Sequence, residues 1–305
     1  SVSKSLEYAY DNWCIAQIGK RFNDKDVPQL LKSAQAYKNL FDVTTGFMRP
    51  RVNGNWYSPF NPTEINNHYT EGNSWHYSFY VPHDISGLIN LHGTEAKFEA
   101  KLDELFTTAA KTSGRDQADV TGLIGQYAHG NEPSHHSPFL YHYVGKPQKT
   151  AKQVKQILEN FYKNTPDGLI GNDDCGQMSA WYVLSSLGMY QVCPGNPQFV
   201  LFNPAFKESF LNFENGKKMR IESEPGAVSN ITGITLNDVQ NTSSHITYDK
   251  LMEGGNLIFE YKLMSAIKIP FGITNKPSSM LKEYPIVVTP IVSYKTKTFS
   301  TPQSL

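Results

Sequence analysis

Apolar residues recur at three- and four-residue spacing through about the first 190 residues, a pattern that predicts amphipathic helices. Four segments begin near residues that favour helix N-termini: Ser3, Asp26 with Pro28 just inside, Thr94 and Thr150. The apolar positions behind these caps are Leu6, Tyr10, Trp13 and Ile18; Leu30, Leu31, Ala34, Tyr37 and Leu40; Phe98, Leu102, Leu105 and Phe106; and Val154, Ile157, Leu158 and Phe161. The N-terminal part of the chain is therefore predicted to be helical.

Two further segments, residues 73–80 and 176–187, are apolar or aromatic on nearly every side. Helices of this kind are usually buried all round. Their alternation with half-buried helices predicts two concentric layers, as in an α/α toroid.

The pattern changes near Pro194. The segment FLNFENGKKMRIE (residues 210–222) places Asn215-Gly216 between alternating apolar positions, which predicts a β-hairpin. ITGITLNDV and GGNLIFEYKL read as further strands, while the last stretch, rich in Pro, Ser, Thr and Lys, is weakly specified. The predicted fold is mainly α with a C-terminal β module: a helical domain over residues 1–198, then antiparallel strands in a β-rich module over residues 199–305.

Composition narrows the function classes. Lys+Arg and Asp+Glu both number 28, and this zero net charge argues against nucleic acid or an anionic membrane surface as the main partner. No segment approaches the length of a membrane span. The 3 Cys have neither a disulfide framework nor a metal-binding spacing. Aromatic residues make up 12% of the chain, and most of them are assigned to the core, although such rings also stack on sugars.

Two polar segments stand out in the first 85 residues. In TGFMRPR, Arg51 or Arg49 either lies in a solvated turn or orients a carboxylate or polyol. In YTEGNSWHYSFYVPHD, Glu71 is either a first-turn acid or a proton donor whose pKa is raised by aromatic surroundings. Rings such as that of Trp75 are candidates for sugar binding.

The segment YAHGNEPSHH gathers His129, Asn131, Glu132, His135 and His136 in one turn. The His-x-x-x-His spacing of a zinc site is absent. Oxygen ligands from Asn131 and Glu132 suit calcium better, which leaves the imidazoles free to bind hydroxyl groups.

The segment GNDDCGQMSAWY sets Asp173 and Asp174 immediately before a predicted helix. Asp174 and Gln177 have the spacing of a capping box. One cap needs one acid, however, and a carboxylate at the mouth of a toroid can activate water as a general base. With Glu71 it would form the acid pair of an inverting glycosidase, whose carboxyl groups lie roughly 6.5 to 9.5 Å apart.

Three segments, TEGNSWHYSFYVPHD, HGNEPSHHSPFLY and GNDDCGQMSAWYVLSSLGMYQVCPG, resemble in order the motifs of glycoside hydrolase family 92. The resemblance runs from the first predicted helix to about residue 205 and is weaker afterwards. It implies part of an (α/α)6 catalytic toroid and a calcium-dependent, inverting exo-α-mannosidase. It further implies release of terminal mannose, α-1,2-linked, from N-glycan or mannan chains, and a periplasmic, cell-surface or secreted location in a bacterium of the Bacteroides type.

The resemblance also implies residue roles. Glu71 would be the general acid, with Glu132 as the alternative, and Asp174 with Asp173 beside it would be the general base. Asn131 and Glu132 would hold calcium. The substrate would be lined by Trp75, His129, His135, His136, Arg51 and Gln177.

Members of this family are longer than this chain, so the resemblance predicts a C-terminal portion. Such a portion would expose apolar helices and is expected to self-associate or to pair with the N-terminal part. The alternative to the mannosidase is a catalytically incomplete fragment that binds calcium or glycan without turnover. A toroidal phosphorylase would need a phosphate-binding basic cluster or glycine-rich loop, and a lyase would favour basic residues and tyrosines over Asp173-Asp174.

Overall fold

A computed structural model of the chain describes residues 1–224 and 231–261. Its helices are α1 (Val2–Arg21), α2 (Val27–Ser33), α3 (Ser74–Tyr77), α4 (Ile85–His92), α5 (Glu95–Thr107), α6 (Pro147–Phe161), α7 (Gln177–Ser186) and α8 (Tyr248–Met252). Four 3-10 segments accompany them: Ala36–Asn39, Pro82–Asp84, Glu132–Ser134 and Ser137–Val144. The predicted helical N-terminal part is therefore confirmed.

Short strand pairs connect the helices, and longer strands follow them. The strands are β1 (Phe41–Asp42), β2 (Phe47–Met48), β3 (Arg51–Val52), β4 (Asn55–Trp56), β5 (Glu64–Ile65), β6 (Ser113–Gly114), β7 (Leu123–Ile124), β8 (Tyr127–Ala128), β9 (Met189–Tyr190), β10 (Gln198–Leu201), β11 (Glu208–Asn212), β12 (Lys218–Glu222), β13 (Ile231–Leu236), β14 (Val239–Gln240), β15 (His245–Thr247) and β16 (Gly255–Tyr261). The first eight form four two-stranded pairs, β15-β10-β9 form a three-stranded sheet, and β11-β12-β16-β13-β14 form a five-stranded sheet.

The β-rich part follows the predicted mainly-α-then-β order. The hairpin β11–β12 is confirmed, with Gly216 at a positive φ of 78° in its turn. The prediction of antiparallel strands is wrong at one place, because β16 returns after α8 beside β12 and runs parallel to it. The weakly specified C-terminal stretch lies outside the described residues, and the division of the chain at residue 198 stays a prediction.

The helix caps were predicted with mixed success. Thr94 caps α5 as expected, and its side chain accepts a hydrogen bond from Lys97 N. The first helix is capped by Ser1 rather than Ser3, whose side chain is buried against Thr70. Thr150 lies inside α6, where its hydroxyl donates to Pro138 O. Periodicity therefore located the helices but not their first residues.

The two aromatic segments differ in burial. The first is enclosed as predicted, although only Ser74–Tyr77 is helical. The second, α7, was predicted to be buried on every side, which is wrong. Its Trp181 is fully buried, but Tyr182 is 37% and Val183 is 53% exposed. One face of α7 is thus open.

An apolar row runs along the outer face of α1. Its members are Tyr8, Ile15, Ile18 and Phe22, each more than half exposed. The opposite face packs into the main core through Leu6 and Ala9. None of the described helices combines the length and apolarity needed to cross a lipid bilayer. The expectation of self-association or pairing with a further part of the protein stays a prediction.

The start of α7 separates the roles of its two neighbouring acids. Asp173 Oδ1 accepts hydrogen bonds from the Ser179 backbone N and hydroxyl, each at 2.9 Å. The Asp174 carbonyl accepts from Gln177 N at 3.2 Å, but its side chain has no capping bond to the helix among the described residues, and its φ is 47°. The predicted Asp174–Gln177 capping box is therefore wrong, because Asp173 and not Asp174 supplies the side-chain bonds to the first turn of α7.

Replacing Asp173 by alanine is expected to lower the free energy of unfolding by about 1 kcal/mol, because the first turn of α7 loses its side-chain cap. Urea denaturation measures this change. The matched control is Asp174→Asn, which keeps a residue that tolerates the left-handed conformation and removes no cap, so it should not lower the unfolding midpoint. An equal loss in both variants would contradict the assignment of the cap to Asp173.

Histidines form an unusual part of the core. All nine have pKa values below the ordinary 6.5, chiefly because burial disfavours the charged ring. Six are buried: His76, His83, His129, His135, His136 and His142. The folded protein therefore holds these rings in their neutral form.

We expect the folded state to lose stability as the pH falls from 7 to 5. A histidine whose pKa is 6.5 when unfolded and about 4 when folded binds protons preferentially in the unfolded state, which costs about 2 kcal/mol over this range. The stabilisation is present above pH 6.5 and is lost as the pH falls towards 4. Urea midpoints measured at each pH give the slope.

His142 provides the internal control for this slope. It is fully buried, burial lowers its pKa to about 3, and neither ring nitrogen has a hydrogen-bond partner within the described residues. His142→Phe should therefore reduce the pH dependence by up to one proton while keeping the protein folded at pH 7. A slope unchanged by this substitution, or a stability independent of pH, would refute the explanation.

Candidate active site

The backbone of the Glu71 loop is fixed from two sides. Ser3 Oγ accepts from Thr70 N at 3.0 Å, and the Tyr77 hydroxyl donates to Thr70 O at 2.8 Å. From the other side, Asn131 Nδ2 donates to Glu71 O at 2.7 Å. Glu71 itself has a φ of 52°, a left-handed conformation that a non-glycine residue adopts at some cost. These contacts fix the backbone from which the Glu71 side chain extends.

The surroundings of that carboxyl differ from the expected aromatic enclosure. Glu71 is exposed, whereas Trp75 is buried with its ring 4.6 Å from that of Phe47 and 4.5 Å from Lys101 Nζ. The Trp75 side chain lies in the core, whereas Tyr77 is near enough to Glu71 for the two groups to interact. Trp75 is therefore corrected from a sugar-stacking residue to a core residue.

Two further acids, Glu132 and Asp174, lie near Glu71. The Glu132 and Asp174 carboxyl groups are in hydrogen-bond contact. Burial, followed by Asp174 and then Glu71, raises the pKa of Glu132. Two carboxyl groups in contact favour sharing a proton or binding a cation. The structure thus brings together three of the predicted site acids: Glu71, Glu132 and Asp174.

Gln177, three residues after Asp174, contacts a buried histidine. Its Nε2 lies 3.2 Å from His135 Nδ1, while His135 Nε2 lies 2.8 Å from His129 O. A carbonyl only accepts, so Nε2 carries the proton and donates. Burial lowers the pKa of His135 to about 4, so the ring is neutral and its Nδ1 accepts from Gln177. His135 therefore orients Gln177 instead of lining a substrate pocket.

The other two predicted histidines also belong to the scaffold. His129 Nδ1 and Nε2 each lie 2.7 Å from a tyrosine hydroxyl, those of Tyr127 and Tyr162. His136 Nε2 donates to Phe79 O at 2.7 Å. Both rings are buried, and these hydrogen bonds use both nitrogens of His129 and Nε2 of His136. Their predicted contact with substrate is corrected to a structural role.

The predicted arginines serve local structure. Arg51 donates to Asn39 O and Gly54 O and lies 3.6 Å from the Trp56 ring centroid, so it stabilises the β3–β4 hairpin. Arg49 pairs with Asp42 at 2.9 Å. These contacts use two of the Arg51 guanidinium donors, and the expectation that Arg51 orients a substrate stays a prediction.

One acid near the site was missed. Glu7 on α1 is half-buried, and burial, then Asp11, then Glu71 raise its pKa. It is therefore near enough to Glu71 for the two charges to interact. The available signal was the four-residue spacing of Glu7 and Asp11, which places both acids on one helix face.

Calcium prefers oxygen ligands, and the site offers them. Glu132 and Asp174 supply carboxylates, and Asn131, whose Nδ2 is used by Glu71 O, keeps its Oδ1 available. Within residues 1–224 and 231–261, no three His, Cys, Asp or Glu side chains form a metal-binding group. The set fits a hard cation by its chemistry as a partial shell of two carboxylates and one amide.

Sequence comparison gives the family of this chain. Residues 1–263 match the glycosyl hydrolase family 92 catalytic domain. A protein of the fungus Arthroderma benhamiae, named an uncharacterized secreted glycosidase, is 30% identical over 287 residues. That match covers 84% of this chain and 35% of the fungal protein.

Structure comparison gives the same family. A family GH92 α-mannosidase of Bacteroides thetaiotaomicron, solved in complex with mannoimidazole, superposes with a TM-score of 0.80 at 38% identity, covering 86% of this chain and 36% of the mannosidase. A family GH92 inverting mannosidase of the same species gives 0.75 at 34%, covering 86% and 37%. The chain thus spans little more than a third of the length of these relatives. From the matched domain and these superpositions, the chain belongs to glycosyl hydrolase family 92.

Proposed function

We propose that this protein is part of a calcium-dependent, inverting exo-α-mannosidase that releases terminal mannose from α-mannosides. The observation that carries the proposal is the grouping of Glu71 with the Glu132–Asp174 pair, since inverting glycosidases use two separated carboxyl groups. The GH92 relatives named as an α-mannosidase and as an inverting mannosidase support the choice of sugar.

The contact between Glu132 and Asp174 decides between the two candidates for the general acid. An inverting reaction needs roughly 6.5 to 9.5 Å between acid and base, to leave room for water. Glu132 is in hydrogen-bond contact with Asp174, so these two carboxyl groups leave no such space between them. Glu132 is therefore the weaker candidate, despite its raised pKa, and we assign proton donation to Glu71.

The proposed reaction is a single displacement. Glu71 donates its proton to the glycosidic oxygen as the bond from that oxygen to the anomeric carbon breaks. Asp174 removes a proton from the water whose oxygen forms the new bond to the same carbon. Asp173 does not share this role, because its carboxylate is bound to the start of α7.

Asn131 and Glu132 are the residues we propose to hold calcium. The ion would supply positive charge beside the two carboxylates and binding positions for sugar hydroxyls. Glu132 would then act as a ligand, and Asn131 would both bind the ion through Oδ1 and hold the Glu71 backbone through Nδ2.

We further propose that the substrate is an α-1,2-linked mannose chain, of N-glycan or mannan type, and that the protein acts outside the cytoplasm. The secreted glycosidase named among the relatives supports the location. The resemblance of HGNEPSHH to the motif of α-1,2-specific members supports the proposed linkage.

Incubation with α-1,2-mannobiose and calcium is expected to release mannose, and EGTA is expected to abolish that release. Chromatography of the free sugar measures both. Absence of release from a protein shown to be folded by its thermal transition would contradict the mannosidase proposal for this chain. That result would favour a catalytically incomplete fragment. Calorimetry would then test whether this fragment binds calcium or a mannoside.

Glu71→Gln and Asp174→Asn are each expected to lower kcat by at least about 100-fold, because each removes one proton-transfer group. Asp249→Asn, an exposed acid on α8, is the matched control and should retain full activity. Full activity in Glu71→Gln, with Glu132→Gln inactive, would reverse the assignment of the acid.

A further inference from the structure

The loops carrying the Glu132–Asp174 pair approach each other at two glycines. Gly130 immediately precedes Asn131 and Glu132, and Gly171 lies three residues before Asp174. A Cβ at Gly171 would lie 3.5 Å from Gly130 Cα. The backbones of the two acid-bearing loops are therefore in contact.

A third loop lies against both glycines through Thr121. A methyl group at Gly130 would overlap Thr121 Oγ1, and one at Gly171 would lie 3.2 Å from the same atom. The backbone adds a hydrogen bond from Gly130 N to Thr121 O at 3.1 Å. The Thr121 side chain is thus a common contact of the two acid loops.

The hydroxyl of Thr121 has no hydrogen-bond partner in the part of the chain that the structure describes, although Oγ1 is buried. A buried hydroxyl without a partner destabilises a protein relative to an apolar group of the same shape. The contribution of Thr121 at this position therefore comes from its volume and branched shape.

We propose that Thr121 is a positioning residue, a spacer that holds the Asn131–Glu132 loop against the Asp173–Asp174 loop and so maintains the contact between Glu132 and Asp174. Its importance for catalysis rests on the proposed function. Its effect on the two loops does not.

The primary test compares Thr121→Ala, which removes the spacer, with Thr121→Val, which keeps its shape without the hydroxyl. Hydrogen exchange followed by mass spectrometry should show about tenfold faster exchange over residues 130–136 and 171–178 in the alanine variant. The valine variant should match the unsubstituted protein. Thr232→Ala, a half-buried threonine of β13, is the control for a general loss of stability and should leave both segments unchanged.

Two outcomes would overturn the proposal. Unchanged exchange at both loops in Thr121→Ala would show that the side chain holds neither. Equal acceleration in Thr121→Val and Thr121→Ala would show that the hydroxyl acts, through a bonded partner, and not the shape.

A double-mutant cycle tests the contact itself. Gly130→Ala should lower the unfolding temperature because its methyl group meets Thr121 Oγ1, and adding Thr121→Ala should restore part of the loss. Strictly additive effects would contradict the contact.

Binding and activity provide the functional readout. Thr121→Ala should weaken calcium binding, measured by calorimetry, by about tenfold and lower kcat by a similar factor while KM changes less than about twofold. Thr121→Val should restore both. If the unsubstituted protein neither binds calcium nor releases mannose, the proposed function fails while the exchange experiment still decides the role of Thr121.

Discussion

Carboxyl groups brought into contact repel each other when ionised, and this repulsion is the constraint on which the site depends. Three acids come from three separate loops, so their grouping has to be enforced by contacts elsewhere. The side chain of Asn131 holds the Glu71 backbone, and the paired glycines bring the other two loops together. The uncharged contacts around the acids therefore hold the three loops together against the repulsion between the carboxylates.

Neutral histidines stabilise these loops through hydrogen bonds to backbone carbonyls. His135 donates to a backbone carbonyl of the loop that contains Glu132, and His136 donates to the segment after α3. A neutral imidazole suits this place because it can donate on one side and accept on the other without adding charge. The His135-His136 pair thus connects the site to the core. The same buried, neutral rings make the folded state less stable at low pH and hold the geometry of the site.

Much of the architecture was predictable because periodic spacing reflects burial on one face of an element. Thr94, the hairpin at Asn215-Gly216 and the location of the acid-bearing loops were identified in this way. Spacing does not record backbone dihedral angles, so it could not show that Asp173 rather than Asp174 caps α7. Nor does the sequence alone show which aromatic and polar side chains face inward. For that reason Trp75 and His129 were assigned to a substrate surface, although both lie in the core.

The residues just before α7 show how backbone strain is used. Asp174, Cys175 and Gly176 have φ values of 47°, 58° and 95°, so two non-glycine residues in succession occupy the left-handed region. Such residues cost about 1 to 2 kcal/mol each, which glycine would avoid. A glycine at Cys175 would relax the chain, yet it would also let the preceding carboxylate sample many directions. The protein thus holds Asp174 in one direction at the expense of stability, and thermostabilising substitutions in this turn would have to be judged by the order they leave at that side chain.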